Sequence, residues 1–103
     1  HGGLAPGEDP SKKTPDELMW DRQLYSMLVN KYVKEVIVPG FEIVFIGHTT
    51  IWRVSHKPVV SGNVVFMDTG GGWEGKLSIM NVDKHSEVYQ SDLLEELYPG
   101  GHK

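Results

Sequence analysis

The chain of 103 residues changes character at residue 41, where it reads Phe41-Glu42-Ile43-Val44-Phe45-Ile46-Gly47-His48-Thr49-Thr50. The first six residues form a mostly apolar run of strand length, which follows a Pro39-Gly40 turn signal and stops at Gly47. The run therefore predicts a mostly buried strand over Phe41–Ile46. A histidine at the end of such a strand projects at the rim of a sheet, where the neighbouring glycine leaves room for a ligand.

Upstream of this strand, apolar residues recur at the period of an α-helix. Thr14-Pro15-Asp16-Glu17 has the pattern of a capping box, with proline at the first helical position. Trp20, Leu24 and Leu28 follow at intervals of four residues and define one apolar face. The pattern predicts one helix from about Pro15 to about Lys34.

Downstream of residue 50 the sequence predicts further short strands. They are expected near Thr50–Val54, over Asn63–Met67, and as a hairpin of Lys76–Val82 with Glu87–Gln90, followed by a short helix over Asp92–Tyr98. One helix followed by consecutive strands is typical of the α+β class. At this length residues 1–103 are expected to form a single domain or part of one.

Composition excludes several kinds of site and partner. The net charge is −4 and the basic residues are interleaved with acidic ones, which does not fit a nucleic-acid-binding surface. The chain has no cysteine, so a metal ion must be held by imidazole and oxygen ligands. No apolar stretch is long enough to span a bilayer. We therefore expect a cytoplasmic protein with no membrane or nucleic-acid partner.

Two histidines lie in glycine-containing segments that suit metal binding. His1 begins His1-Gly2-Gly3, and His48 follows Gly47 at the end of the predicted strand. Neutral imidazole is the commonest metal ligand in proteins, but a site normally needs three or four protein ligands. The residues alone leave open that both are ordinary loop histidines.

Three further features have both a functional and a structural interpretation. The guanidinium of Arg22 matches phosphate oxygens, but from the residues alone the favoured interpretation is a solvated arginine in a local ion pair with Asp21. The glycine-rich turn 68–72 has amides that suit phosphate, although a strained turn between strands is the favoured interpretation. Trp73 is placed either to line the mouth of a site or to cap the edge of a core.

Five short motifs follow one another along the chain, and their order and spacing are more specific than any one of them alone. They are His1-Gly2-Gly3-Leu4-Ala5-Pro6, Leu18-Met19-Trp20-Asp21-Arg22, Phe45-Ile46-Gly47-His48-Thr49-Thr50, Phe66-Met67-Asp68-Thr69-Gly70-Gly71 and Gly75-Lys76-Leu77-Ser78-Ile79. In this order and spacing they resemble the second half of the serine/threonine phosphoprotein phosphatases, a calcineurin-like metallophosphoesterase family, in the form typical of the bacteriophage lambda type.

The resemblance implies a fold and a site. The fold would be the C-terminal part of a two-sheet β-sandwich flanked by helices, with the aspartate-rich motifs of the first metal lying upstream of residue 1. The intact enzyme would hold two divalent ions, typically Mn²⁺ and alternatively Fe or Zn. His1 and His48 match ligands of one ion, Arg22 matches the arginine that contacts the phosphate, and Trp73 would lie near the site mouth. Thr50 and Gly71 depart from the family pattern at positions that are not ligands.

The resemblance also implies a reaction, namely metal-dependent hydrolysis of phosphate monoesters such as phosphoserine or phosphothreonine in a protein. The isolated chain is expected to carry an incomplete site and to be inactive. One alternative is a dinucleoside polyphosphate hydrolase of the same broad family. Another is a non-catalytic binding or structural module that self-associates, or pairs with the missing N-terminal part, along exposed strand edges.

Overall fold

The computed structural model describes residues 1–72 and 74–93. The chain divides into two compact units, which are treated separately below. The first comprises His1–Thr49 and Val59–Phe66, and the second comprises Thr50–Pro58 and Met67–Lys103.

The helical part of the first unit is shorter than its sequence predicts. After a 3₁₀ helix over Pro10–Lys12, helix α1 spans Pro15–Trp20 and helix α2 spans Gln23–Val29. The predicted start is confirmed, because the Thr14 hydroxyl accepts the Glu17 amide at 3.1 Å. The prediction of one continuous helix from Pro15 to Lys34 is wrong.

The chain leaves the helical conformation at Asp21 and starts again two residues later. Asp21 is extended, with ψ of 127°, and its carboxylate accepts the amide of Gln23, the first residue of α2, at 2.8 Å. The interruption also redirects the predicted apolar face. Leu24 is fully buried, whereas Trp20 is 58% exposed.

Three short strands build the sheet of the first unit. They are β1 (Val44–Ile46), β2 (Val59–Ser61) and β3 (Val64–Phe66), in the order β1-β3-β2. β1 runs parallel to β3 with Val44 opposite Val64, and β2 is antiparallel to β3. All three residues of the central strand β3 are buried, which explains its continuous apolar sequence. Only the last half of the predicted strand 41–46 is observed, and β2 was not predicted.

A two-residue turn, Gly62-Asn63, joins β2 to β3 and also holds the preceding loop. Gly62 has φ of 56°, and a Cβ there would collide with the Val36 carbonyl oxygen. The Asn63 side chain accepts the Val38 amide at 2.8 Å and donates to the carbonyls of Val38 and Phe41 at 2.8 and 2.9 Å. The Asn63 side chain therefore forms hydrogen bonds with the backbone of residues 38–41 in the way that a neighbouring strand would.

The second unit contains the predicted hairpin. Strand β4 spans Ser78–Asn81 and β5 spans Lys84–Gln90, with Ile79 opposite Tyr89. The strand predicted near Thr50–Val54 is wrong. The chain turns there instead, and the amides of Val54 and Ser55 both donate to the Ile51 carbonyl. The helix predicted over Asp92–Tyr98 lies almost wholly outside the described residues.

The glycine-rich turn of the second unit is held by its own hydrogen bonds. The Asp68 carboxylate accepts the Gly70 amide at 2.9 Å, and Gly70 has φ of 84°. Thr69 is 1% exposed, and its hydroxyl donates to the Lys76 carbonyl and lies in hydrogen-bond contact with the Ser78 hydroxyl. The favoured interpretation of this segment as a strained turn between strands agrees with these contacts.

Short helices and small sheets together make this a mixed α+β protein, as the sequence predicts. Among the described residues no helix is long and apolar enough to cross a membrane.

We expect Asn63→Ala to lower the free energy of unfolding by about 2–3 kcal/mol, because it removes two partly buried hydrogen bonds and one exposed hydrogen bond, worth about 0.5–1.5 kcal/mol each. Urea denaturation followed at the backbone amide of Val65 measures the effect. Asn81→Ala is the matched control, because Asn81 is exposed on the hairpin. A loss no larger than that of the control would show that Asn63 does not hold the loop.

Candidate metal and phosphate site

The segment that carries His1 is bonded on both sides by its backbone. The Gly47 amide donates to the His1 carbonyl at 2.8 Å, which ties residue 1 to the end of β1. On the other side, the amides of Gly2 and Gly3 both donate to the Leu18 carbonyl, at 2.9 and 3.2 Å. The end of α1, the His1 segment and the end of β1 therefore meet at one place.

Glycine is required at this junction for a steric reason. A Cβ on Gly2 would collide with the Met19 carbonyl oxygen and lie 2.9 Å from that of Asp21. Gly3 has φ of 142°, which few other residues adopt. The two glycines thus let the His1 segment approach the end of α1 at backbone distance.

His48 occupies a strained turn immediately after β1. Its φ is 67°, the only positive value among the described residues other than glycine. The Thr49 amide donates to the Gly47 carbonyl at 2.8 Å, which closes a three-residue γ-turn around His48. A γ-turn with positive φ is rare and strained, and strain of this kind, about 1–3 kcal/mol, is concentrated at functional sites.

Three rings meet at this junction. The His1 and His48 ring centres are 5.0 Å apart, with a 50° angle between the ring planes. The Trp20 ring lies perpendicular to that of His48, with centres 4.6 Å apart. Two imidazoles on one ion, with metal–nitrogen bonds of about 2.0–2.1 Å, hold their ring centres about 5 Å apart. The observed separation fits two ligands of a single ion.

The described residues do not by themselves form a complete set of metal ligands. Among residues 1–72 and 74–93 there is no group of three or more histidine, aspartate or glutamate side chains placed to hold an ion. Beside His48, the Thr49 hydroxyl is buried and has no hydrogen-bond partner within the described part of the chain. A buried hydroxyl without a partner costs free energy, so an added ligand or water here would be stabilised by it.

Arg22 is exposed at the start of α2, two residues after Trp20. The carboxylate of its neighbour Asp21 accepts the Gln23 amide. Within the described ranges Arg22 forms no ion pair, so the predicted alternative of a local pair with Asp21 is not observed. Arg22 lines a shallow depression of about 410 Å³ together with Gln23, Ser26 and Met27, and neither His1 nor His48 lines it.

The other candidate residues do not join this group. Trp73 lies outside the described residues. The amides of Gly70, Gly75 and Lys76 in the glycine-rich turn donate to Asp68 and to backbone carbonyls, so they are not directed at a phosphate. His56 belongs to the second unit, where it stacks on Trp52 with ring centres 3.9 Å apart.

Trp20 is the member of the group that its sequence context did not identify. The helical period assigned it to an apolar core face, but the break at Asp21 leaves it exposed beside His48. The one signal that could have identified it is its place in the motif Leu18-Met19-Trp20-Asp21-Arg22, two residues before the candidate arginine.

A small apolar pocket of about 270 Å³ adjoins His1. Its wall includes Phe41, Ile43 and Phe45, which belong to the predicted apolar run. Phe41 is 44% exposed, so part of this run remains accessible to solvent in the chain.

Comparison with known proteins found no matching family model, no matching curated protein and no matching solved structure.

We expect His48→Gly to be more stable than His48→Ala by about 1 kcal/mol, because only glycine relieves the strain of positive φ at this turn. Both variants remove the imidazole, so their difference isolates the backbone. Thermal denaturation of the two variants measures it. Equal melting temperatures, or a more stable alanine variant, would contradict the strained turn.

Proposed function

We propose that this chain supplies two histidine ligands for a divalent metal ion and the phosphate-binding arginine of a metal-dependent phosphomonoesterase, acting on phosphoserine, phosphothreonine or a similar small phosphate ester. The observation that carries the proposal is the approach of His1 and His48, whose ring centres are 5.0 Å apart although 47 positions separate them in the sequence.

The histidine pair supports the metal part of the proposal. The two residues are brought together by backbone hydrogen bonds, His1 through Gly47 and His48 through its γ-turn. One of them sits in a strained conformation, which a structural role alone does not require. Mixed imidazole and oxygen coordination suits Mn²⁺, Fe and Zn²⁺. The remaining oxygen ligands would come from the aspartate-rich motifs that the family resemblance places upstream.

The arginine supports the phosphate part. Arg22 is exposed and has no carboxylate partner within the described residues, so its planar fork of donors is accessible to a ligand. A guanidinium binds two phosphate oxygens at once, which a lysine ammonium does not do. The motif that contains Arg22 also contains Trp20, which touches His48.

The chemistry follows from these groups. A divalent ion at the histidine pair, with a second ion beside it, would stabilise the attacking and phosphate oxygens in an in-line displacement by water. Arg22 would hold the phosphate and offset its developing negative charge. His1 and His48 would act as neutral ligands and fix the position of that charge relative to the substrate.

Metal binding is tested first. We expect substoichiometric Mn²⁺ to broaden the imidazole NMR signals of His1 and His48 selectively, while His56 and His85 stay sharp. His48→Ala should reduce the broadening of the His1 signals, because the pair of ligands is lost. His85→Ala should leave the broadening of His1 and His48 unchanged. Equal broadening of the signals of His1, His48, His56 and His85 would contradict a site at His1 and His48.

Phosphate binding is tested with inorganic phosphate in the presence of Mn²⁺. We expect Arg22→Ala to weaken binding about 10- to 100-fold, because a hydrogen bond to a charged group contributes about 1.5–3 kcal/mol. Arg22→Lys should recover only part of the loss, since lysine lacks the planar fork. Arg53→Ala is the control, because Arg53 lies in an exposed ion pair with Glu74. Phosphate binding that is indifferent to Arg22 would refute its proposed role.

A further inference from the structure

The contact between Trp20 and His48 is unusual because the tryptophan gains little from burial. Its side chain is 58% exposed at the end of α1, although tryptophan is among the largest apolar side chains. The ring nevertheless stands perpendicular to the His48 imidazole, at 4.6 Å between centres and 89° between planes. Edge-to-face packing of this kind is a preferred arrangement of aromatic rings. The contact therefore fixes an orientation more than it fills a core.

His48 needs such a constraint because its other contacts are few. A metal-binding imidazole is normally oriented by a hydrogen bond from its second ring nitrogen to a carboxylate or carbonyl. Within residues 1–72 and 74–93 no hydrogen bond reaches either ring nitrogen of His48, and its ring contacts are with Trp20 and His1. The backbone of the γ-turn fixes the Cα–Cβ direction, but the two side-chain torsions are left to these ring contacts.

We propose that Trp20 is the positioning residue for His48, and that contact with its ring takes the place of the usual hydrogen bond in setting the imidazole orientation for a metal ion. The inference rests on the proposed metal site at His1 and His48. It adds a role for a residue that contributes no ligand atom. The helix break is part of the device, because it ends α1 at Trp20 where the Gly2 and Gly3 amides bond the Leu18 carbonyl.

A merely structural role for Trp20 predicts a different outcome. If the Trp20 ring only covers apolar surface, an aliphatic side chain can replace it. Its replacement would then change the stability of the chain and leave the metal affinity unchanged. If the ring orients His48, an aromatic replacement preserves the effect and an aliphatic one does not. Trp20→Phe and Trp20→Leu separate these two cases, since both are apolar and smaller than tryptophan.

The matched control is Trp52→Leu. Trp52 also contacts a histidine, His56, but the pair belongs to the second unit and is stacked with 12° between the planes. Removing it tests for non-specific effects of losing an indole ring.

Two measurements are made on the full chain. The first is the affinity for Zn²⁺ by calorimetry, where we expect Trp20→Leu to bind about tenfold more weakly, in line with other residues that orient metal ligands. Trp20→Phe should recover most of the wild-type affinity, and Trp52→Leu should bind as wild type. The second is the side-chain rotamer of His48 from NMR coupling constants without metal. A single rotamer is expected in wild type and Trp20→Phe, and rotamer averaging in Trp20→Leu.

His48→Ala separates failure of this inference from failure of the proposed function. If His48→Ala binds Zn²⁺ as wild type, the metal site itself is wrong. If His48→Ala weakens binding but Trp20→Leu does not, the metal site stands and the positioning role is refuted. Equal weakening by Trp20→Leu and Trp20→Phe, with averaged rotamers in both, would likewise refute the role of the aromatic ring. If circular dichroism shows that Trp20→Leu does not fold, the His48 rotamer is compared between Trp20→Phe and wild type instead. A single rotamer in Trp20→Phe supports the proposal, and rotamer averaging in that variant overturns it.

Discussion

The first unit depends on one carbonyl group, that of Leu18, which accepts the amides of both Gly2 and Gly3. In a continuous helix this carbonyl would accept the amide four residues ahead, at Arg22. Here α1 ends at Trp20 and the carbonyl is left for another donor, a need common to every helix end. The bond from Gly47 to His1 then extends the connection to the sheet. These backbone hydrogen bonds thereby join the end of α1, the first residues of the chain and the end of β1.

Local features were predictable, and features set by distant residues were not. The start of α1 follows from Thr14 and Pro15, which act within one turn, and it was predicted correctly. At the break after Trp20 the Leu18 carbonyl accepts amides of Gly2 and Gly3, which lie at least fifteen positions away, and the helical period of the sequence carries no sign of these contacts. Strand β3 was predicted because it is buried and continuously apolar. β2 has only three residues, one of them exposed, and follows a proline, so it gave no comparable pattern.

The candidate site shows the same division. His1, Arg22 and His48 were identified from motif order, which carries information that periodicity lacks. The structure brings the rings of two of them, His1 and His48, to within 5.0 Å of each other. The contact of Trp20 with His48 could not be predicted, because an apolar residue at helical spacing is far more often part of a core. The left-handed turn at His48 was also hidden, since histidine carries no signal for positive φ comparable to that of glycine.

The Asn63 side chain has a consequence for the order in which the first unit folds. The β2–β3 hairpin closes over two residues and is therefore fast and local, on the order of microseconds. β1 must instead pair with β3 across an intervening stretch of about twenty residues, and such parallel, non-local pairing is slow. Once the hairpin exists, Asn63 and Ser61 present side chains that capture the amides of Val38 and Val36. The hairpin would then act as a template. The segment that leads into β1 would already be hydrogen-bonded to the hairpin when β1 pairs with the edge of β3.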